Sequence, residues 1–555
     1  MTKRTEVLRY GVRSLAGLLG AGIAAAVVGA LCVIPLPGFT ATARSELVTP
    51  TPTDQRLVCP GSLLDILSMN GDTSTFAAVG VPDVFTQAQD TSITQSSMGT
   101  PDVATGDSAT APQVLFAPAP TTDVQPLISG DQSQSIGQET LSGLAAAPCV
   151  DSSTDIWLVG GSTDTWRTTL LLLNNPTEVA ANVNVAIFAE NGPVTGPGGT
   201  GIVVEPGVQR VISLASIAPG VSAPVVHVTS SGGQVVATLQ QSVVRTLLPD
   251  GVDFVTPSAA PNVSLVIPGV RLSGMATTHA SEGGEVSSDE QPAVRVGVPG
   301  TADAEVTVTA YSAQTKPVTV KAKIPAGRVL ELPFGEMDDG IYSLLVSSTK
   351  PVVAAARTIQ TADVDPFASS TATPTPVGTK TAVPTPTKPA TASPSPTPGA
   401  RGSSSTTGTG PALASLDDVS GGDVGTGGAT PGGSSTYVAP APKLGGDFTW
   451  LGSTLPVVGT TLVNVPEAPH PTLTLFNPTK SDVVVDLTQD GEQVAHLKVA
   501  AGSMQVVDVV AGTKYVMQSD QQIYGSLTFI STGKGASIPL NPSSPLAGGI
   551  LVFPR

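Results

Sequence analysis

The chain has 555 residues, including 59 Gly and 50 Pro, and a net charge of -17 from 26 basic and 43 acidic side chains. This Gly and Pro content, with charged residues at only 12% and aromatic residues at 4%, excludes a single compact domain and predicts several domains joined by linkers. The acidic balance argues against nucleic acid as a partner, because phosphates favour clustered Lys and Arg.

The amino terminus has the pattern of a membrane anchor. Residues 1–13 contain four basic side chains and precede an uncharged apolar stretch, residues 14–36. As a helix this stretch would be about 34 Å long, which spans a hydrocarbon core of about 30 Å. We therefore predict a single-pass protein of the cell membrane, with residues 1–13 as a cytoplasmic stub, residues 14–36 as a transmembrane helix or signal anchor, and the bulk of the chain extracytoplasmic. The alternative is a signal peptide cleaved after Ala43, because the sequence there has a small-residue cleavage pattern.

A stalk, residues 37–56, leads to a short ordered segment, residues 57–67, which contains Cys59. Cys59 and Cys149 both lie on the predicted exported side, where the compartment permits oxidation and an even count favours pairing. We expect one disulfide between Cys59 and Cys149, worth roughly 4 to 5 kcal/mol in the chain-entropy model. Two thiols without a nearby pair of His residues do not complete a zinc site, so we predict no metal.

Residues 68–147 are rich in Ser, Thr, Gln, Asp, Gly and Ala and contain few aromatic residues. Such a composition buries too little apolar surface to offset the entropy of ordering the chain. We predict that residues 68–147 form a disordered excursion between the short ordered segment and the first folded domain.

An internal repeat follows, which is found by aligning the chain on Pro176, Pro299 and Pro478. Each copy has a strand before the proline, an alternating apolar strand after it, a Gly-centred turn into another strand and a final pair of strands. In the first and third copies the proline stands in Asn-Pro-Thr, which predicts a hairpin turn. The fold class is therefore all-β, with three tandem immunoglobulin-like antiparallel β-sandwiches, although the Cys-Trp-Cys signature of immunoglobulin domains is absent. The predicted sandwiches are residues 148–262, 263–365 and 447–555.

The first and third copies also open alike. Trp157 and Trp450 are each followed by Leu and, shortly afterwards, by Gly-Ser-Thr. A Trp repeated in the first strand of equivalent units is expected to pack in the core or at a sheet edge rather than to bind a ligand.

Residues 366–446 separate the second and third predicted sandwiches. They hold Pro-Thr-Pro repeats followed by Gly and Ser runs. We predict a disordered Pro/Thr/Ser/Gly-rich linker whose first part is a semi-rigid spacer and whose second part is flexible.

The amino-terminal anchor, Val58-Cys59-Pro60-Gly61, the Trp-Leu openings and the Asn-Pro-Thr hairpins together resemble an uncharacterised actinobacterial family of membrane-anchored secreted proteins, a domain of unknown function. The resemblance covers most of the chain from Cys59 onward. It implies an envelope location, an N-terminal anchor and repeated β domains, and it carries over no catalytic residue.

The sequence contains no recognisable catalytic apparatus. No Gly-x-Ser-x-Gly elbow is present, and Ser347-Ser348-Thr349-Lys350, which matches Ser-x-x-Lys, lacks the partner motifs of that enzyme class. The four His residues are scattered, and the glycines cluster in linkers and hairpin turns, so we predict no metal and no cofactor. An enzyme would need acid and base groups from different domains to converge.

These features favour a non-enzymatic, membrane-anchored extracytoplasmic scaffold or protein-interaction protein of the bacterial cell envelope, with an envelope protein as its partner. The alternative function is a binding module for cell-wall polysaccharide or peptidoglycan. The sequence identifies neither the individual partner nor the oligomeric state.

Overall fold

A computed structural model describes residues 46–48, 52–70, 73–120, 126–245, 247–275, 291–335, 337–361, 446–542 and 550–552. The regular elements in these ranges are β-strands and one short 3-10 helix, so the protein is all-β, as the sequence predicts. The predicted stub, residues 1–13, the predicted anchor, residues 14–36, and nearly all of the predicted linker lie outside the described residues. Among the residues that are described, no helix has the length and apolar character of a membrane span.

The described strands fall into two compact bodies. The smaller body contains β1 (Glu46–Val48) and β35 (Ile550–Val552), which pair antiparallel. The larger body contains all the other strands, beginning with ten that we call the N-terminal module. These are β2 (Gln55–Cys59), β3 (Leu63–Asn70), β4 (Thr73–Val79), β5 (Asp83–Gln89), β6 (Thr94–Ser97), β7 (Val103–Thr105), β8 (Gln113–Ala117), β9 (Leu127–Gly137), β10 (Ser142–Pro148) and β11 (Val150–Asp151).

The prediction that residues 68–147 are disordered is wrong, because most of the strands of the N-terminal module lie there. They form three small sheets with the strand orders β11-β2-β8-β6, β10-β9-β5 and β3-β4-β7. The predicted stalk, residues 37–56, likewise contains β1 and the start of β2.

Three repeats follow the N-terminal module. Repeat 1 comprises β12 (Asp155–Val159), β13 (Arg167–Asn175), β14 (Ala181–Ala189), β15 (Gly192–Val194), β16 (Ile202–Val204), β17 (Val208–Ser213), the 3-10 helix η1 (Leu214–Ser216), β18 (Val225–Gly232), β19 (Val236–Arg245) and β20 (Leu248–Val255). Repeat 2 comprises β21 (Asn262–Leu272), β22 (Ala293–Gly297), β23 (Ala304–Ser312), β24 (Val318–Ile324), β25 (Val329–Pro333), β26 (Gly340–Gln360) and β27 (Asp447–Gly452). Repeat 3 comprises β28 (Val457–Val465), β29 (Thr472–Asn477), β30 (Val483–Gln489), β31 (Glu492–Val499), β32 (Ser503–Asp508), β33 (Thr513–Ser531) and β34 (Lys534–Pro539).

The three repeats share one sandwich-like topology. In repeat 2 the first half of β26 pairs with β21 and β23, and its second half pairs with β22 and β27. Strand β33 pairs in the same way with β28 and β30, then with β29 and β34. In repeat 1 two strands take the place of this one long strand: β18 pairs with β12 and β14, and β19 pairs with β13 and β20. Val183, Val306 and Val485, which the sequence alignment makes equivalent, each lie in the apolar core of their repeat.

The boundary between repeats 2 and 3 differs from the sequence prediction. Residues 447–452 were assigned to the third sandwich, but as β27 they pair with residues 355–360 of β26 and complete repeat 2. Because Gln360 lies opposite Asp447, the segment between them leaves and re-enters one sheet as a hairpin connection. It is therefore an insertion within repeat 2 and not a spacer between two sandwiches. Trp157 and Trp450 are consequently not equivalent, although both are buried as expected.

The N-terminal module folds by covering repeat 1. Leu63, Phe76 and Ile136 pack in one cluster with Leu170 and Leu172 of β13, on the face of that strand opposite to the core of repeat 1. The module has a small apolar cluster of its own around Cys59 and Cys149, and repeat 1 adds the apolar contacts that bury its strands β3 and β4. Strand β13 is buried on both faces, which explains its run of four consecutive Leu residues in place of alternation.

The carboxylate of Asp447, the first residue of β27, joins the N-terminal module to all three repeats. Its Oδ2 accepts hydrogen bonds from the backbone N–H groups of Leu144 (2.8 Å) in β10 and Gly535 (3.1 Å) in β34. Its Oδ1 accepts from Val252 (3.2 Å) in β20 and Phe448 (3.0 Å) in β27. Burial raises the pKa of Asp447 well above its usual range. The hydrogen bonds from the four N–H donors stabilise the carboxylate and lower this pKa in part.

Two glycines allow this close approach. A Cβ at Gly143 would lie 2.8 Å from Asp447 Oδ1, and one at Gly251 would lie 2.9 Å from the same atom. Each glycine directly precedes one of the donor residues, and each has a positive φ, at 152° and 113°. Four chain segments therefore meet at one carboxylate with no side chain between them.

Cleavage of the insertion tests its topology. We expect that cutting the chain at a specific protease site introduced near residue 400 leaves the two fragments associated, because β27 remains paired with β26 and bound through Asp447. Size-exclusion chromatography should show one species in native buffer and two in urea. Separation of the fragments without denaturant would show that residues 447–555 form an independent domain.

Asp447→Asn tests the four-way junction. An amide oxygen keeps two acceptor positions, but the amide NH2 faces two backbone donors that are then left unsatisfied in the interior. We expect a loss of about 2–4 kcal/mol, measured by urea unfolding at neutral pH. Asp490→Asn, at an exposed turn of repeat 3, is the control and should change stability by less than about 0.5 kcal/mol. Equal unfolding midpoints for both variants would contradict the role of Asp447.

Candidate functional site

A groove of about 600 Å³ opens where the N-terminal module meets repeat 1. We call it the seam groove. One wall is the sheet β11-β2-β8-β6, and the other wall is formed by two turns of repeat 1, at residues 176–178 and 206–207.

Strand register builds the first wall. Arg56 of β2, Phe116 of β8 and Thr94 of β6 lie directly opposite one another, and Ser96 of β6 lies opposite Val114. The guanidinium carbon of Arg56 is 5.3 Å from the centroid of the Phe116 ring, which is a cation–π distance. This wall therefore combines a cation, an aromatic ring and hydroxyl groups on a paired sheet.

Arg56 also reaches across to the second wall. Its Nη1 donates a hydrogen bond of 3.1 Å to the carbonyl oxygen of Pro176, and its Nη2 is 3.8 Å from Glu178 Oε1. The Glu178 side chain is 89% exposed, so this ion pair contributes little to stability. The carboxylate of Glu178 is thus accessible to a ligand.

The turn at residues 176–178 is held by Asn175, as the Asn-Pro-Thr sequence predicts. Its Nδ2 donates to the carbonyl oxygens of Val179 (2.8 Å) and Val204 (2.9 Å), and its Oδ1 accepts from Thr177 N (3.0 Å) and Thr177 Oγ1 (2.7 Å). Asn477 makes the corresponding bonds in repeat 3. The wall is rigid because side-chain bonds replace the missing backbone ladder.

The second turn is tied to the N-terminal module through backbone bonds. Gly99 N donates to the carbonyl oxygen of Gly207 at 2.8 Å, and Gln209 N donates to the carbonyl oxygen of Gly99 at 2.8 Å. The chain that leaves β6 therefore pairs with the start of β17. These bonds fix the second turn against the strand that forms the facing wall.

The groove presents hydrogen-bonding groups and a partly exposed aromatic ring, an arrangement suited to binding. Its polar lining groups are the Arg56 guanidinium, the Glu178 carboxylate and the hydroxyl groups of Ser and Thr residues. In the part of the chain that the structure describes, no group of three or more His, Cys, Asp or Glu residues could hold a metal ion.

Cys59 and Cys149 form a disulfide, the pairing expected from the sequence. Both residues are buried, and Cys149 N donates a hydrogen bond of 2.7 Å to the carbonyl oxygen of Gly130. The disulfide joins the end of β2 to the junction of β10 and β11. It supports the strand that carries Arg56 and lies outside the groove lining.

Sequence reasoning missed a buried ion cluster between repeats 1 and 2. Arg295 Nη1 donates to the carbonyl oxygens of Gly161 (2.9 Å) and Pro224 (2.9 Å) in repeat 1, and its Nη2 is 2.7 Å from Glu331 Oε1. Burial lowers the pKa of Arg295, and the negative charge of Glu331 raises it. The signal in the sequence is an Arg in the middle of an otherwise apolar strand, Ala293–Gly297. This cluster fixes two repeats together and is not accessible to a substrate.

A family of unknown function, DUF5719, matches residues 103–412. The match covers more than half of the chain. The protein belongs to the DUF5719 family. The matched range includes β7 to β11 of the N-terminal module, repeat 1 and β21 to β26 of repeat 2. Phe116 and both turns of repeat 1 in the seam groove therefore lie in the matched range, whereas Arg56 and strand β6 precede it.

The other comparisons add no functional information for this DUF5719 member. No curated protein matches the chain. Among solved structures, Thermotoga maritima 1070 matches at 21% identity over 18% of this chain and 79% of that chain, with a TM-score of 0.15. The Anabaena sensory rhodopsin transducer matches at 19% identity over 18% of this chain and 97% of that chain, also with a TM-score of 0.15. Scores this low carry no argument about fold or function.

Proposed function

We propose that the protein is a non-enzymatic, membrane-anchored extracytoplasmic scaffold of the bacterial cell envelope that binds a partner protein. Support for the anchor comes from the basic residues before the apolar residues 14–36, which leave the amino terminus in the cytoplasm. The Cys59–Cys149 disulfide supports an oxidising compartment outside the cytoplasm. The same anchor and motifs support an actinobacterial family of membrane-anchored secreted proteins.

We also infer that the three repeats are immunoglobulin-like sandwiches. Each has antiparallel strands around one apolar core, and the strands of repeat 1 run from residue 155 to 255 and those of repeat 3 from 457 to 539, lengths near the roughly 100 residues of an immunoglobulin domain. Domains of this kind present sheet edges and turns as binding surfaces while the core remains fixed.

The observation that supports a scaffold best is the seam groove itself. It is preformed between two parts of the chain, its walls are held by Asn175 and by the Gly99 to Gly207 backbone bond, and it offers a cation, an aromatic ring, hydroxyl groups and a carboxylate as contact groups. A preformed site saves the entropy of ordering on binding. A partner segment of mixed polar and apolar character would bind between Phe116 and the exposed Glu178.

A second candidate function is binding of cell-wall polysaccharide or peptidoglycan in the same groove. The specific observation in its favour is the set of hydroxyl groups on both walls, from Thr94, Ser96 and Thr177, beside Arg56 and Phe116. Hydroxyl and guanidinium groups bind sugar hydroxyls and carboxylates, and an aromatic ring packs on a sugar face.

Glu178→Trp tests the groove, because an indole at this exposed position fills the space between the walls. The internal repeat offers a matched control, Lys480→Trp, at the equivalent position of the Asn-Pro-Thr turn in repeat 3. We expect Glu178→Trp to reduce partner binding at least about tenfold, which corresponds to about 1.4 kcal/mol, and Lys480→Trp to leave it unchanged.

The measurement uses the full, oxidised chain against detergent-solubilised envelope proteins and, separately, against protein-free wall polymer. Enrichment of one envelope protein that Glu178→Trp abolishes supports the scaffold. Saturable retention on wall polymer that Glu178→Trp abolishes supports the second candidate. Binding that is equal for both variants would exclude the seam groove as the site.

A further inference from the structure

Strand β24 ends the sheet of repeat 2 in the order β24-β23-β26. Its outer edge has no strand partner among the described residues, so one row of its backbone N–H and C=O groups is available for pairing. An unpaired edge of this kind is a template for strand addition.

The face of β24 that points to the core is not fully covered. Register places Val318 opposite Ala310 and Val320 opposite Val308, and both partners are buried in the core of repeat 2. Ile324, at the other end of the strand, is fully buried. Val318 and Val320, however, are 44% and 45% exposed. Apolar side chains that belong to the inner face of the sheet therefore meet solvent at this edge.

In repeat 1 the inner face of the sheet is covered at the corresponding edge. The connection from β17 to β18 includes η1, and Leu214, Ile217 and Ala218 of this connection are buried in the core of repeat 1. A Cβ at Gly196, between β15 and β16, would overlap the carbonyl oxygen of Ile217, which shows how closely this connection covers the edge. In repeat 2 the corresponding connection, residues 334–339, is shorter.

Repeat 3 provides a second comparison. Its edge strand β31 is paired with β30 in the corresponding register, with Ala495 opposite Leu487 and Leu497 opposite Val485. Ala495 and Leu497 are half-buried rather than exposed. Among the three repeats as described, the open inner face is thus a property of repeat 2.

The outer face of β24 is basic, in a chain whose net charge is -17. Lys323 is paired with Asp303 at 3.2 Å, whereas Lys321 forms no ion pair with any described residue. A shallow groove of about 550 Å³ lies beside these lysines and is also lined by Thr307, Ser347 and Glu305, the residue opposite Lys323 in β23. The edge therefore offers apolar contacts on one face and positive charge on the other.

We propose that β24 binds an extended segment of a partner protein, which adds to the sheet as a further strand. Apolar residues of the segment cover Val318 and Val320, and Asp or Glu residues at the alternate positions contact Lys321 and Lys323. The proposal rests on the scaffold function but not on the seam groove. A second copy of the chain fits poorly, because antiparallel self-pairing along the whole strand sets Lys321 directly opposite Lys321.

The test uses a labelled peptide of about nine residues with alternating Val and Glu, added to the full chain and followed by fluorescence anisotropy. A peptide with Lys in place of Glu, and one with a central Pro that lacks the ladder N–H, are the control ligands. We expect the Val/Glu peptide to bind at least about fivefold more tightly than either control. Hydrogen exchange should show that the amides of residues 318–324 become protected when the peptide binds.

Two edge variants locate the binding. Lys321→Glu reverses the charge of the edge. It should lower the affinity for the Val/Glu peptide at least about fivefold and raise the affinity for the Val/Lys peptide. Val320→Lys, at a position that is already half exposed, places a charge on the inner face of the sheet and should lower the affinity for both peptides. The matched variants His496→Glu and Ala495→Lys in β31 should leave binding within about twofold.

Three results would overturn the proposal. They are no preference for the Val/Glu peptide, equal effects of the β24 and β31 variants, and full protection of the β24 amides before peptide is added. The last would mean that another segment of the chain already pairs with this edge. Glu178→Trp should not alter peptide binding, so failure at the seam groove is distinguishable from failure at β24.

Discussion

The architecture of the larger body depends on one buried carboxylate. Asp447 accepts backbone N–H groups from β10, β20, β27 and β34, and three of these are the last strands of their repeats. A buried carboxylate is tolerated only when its oxygens are satisfied, so the four donors must converge on it together. Strand β10 lies between two of the repeats, since Ala145 packs with repeat 1 while Leu144 packs with repeat 3. The repeats consequently form one packed body instead of a flexible chain of separate domains.

Much of the repeat was predictable because its signals are local. Alternation at Val183 and Val485 places these side chains in the cores of their repeats, and Asn-Pro-Thr encodes a turn whose bonds are made within a few residues of Asn175. The pairing of Cys59 with Cys149 was expected because these are the two cysteines that follow the predicted anchor. Each of these features depends on neighbouring residues or on compartment, so no tertiary information was needed.

The sequence predictions that proved wrong have a common cause: the residues concerned are buried by a distant part of the chain. Gln132 and Gln134 make residues 68–147 look soluble, yet both are buried and accept backbone N–H groups from Gly61 and Leu63. The four-leucine run of β13 reflects a second covered face, but nothing within the run identifies the segment that covers it. Strand β27 was assigned to the wrong repeat because its partner, β26, is separated from it by the long insertion. Composition and periodicity do not identify strand partners that are far apart in the sequence.

Where three copies share a topology, their differences are more informative than their common core. The core residues are constrained by packing in every copy, whereas an edge or a turn is free to change in one copy while the others keep the fold. Repeat 1 uses its extra connection to close its edge, and its Asn-Pro-Thr turn, which repeat 3 shares, forms the seam groove because the N-terminal module lies beside it. Repeat 2 has instead an uncovered apolar edge beside two lysines, and such an edge favours aggregation unless a partner covers it. Binding surfaces in this chain are therefore expected where one repeat departs from the other two.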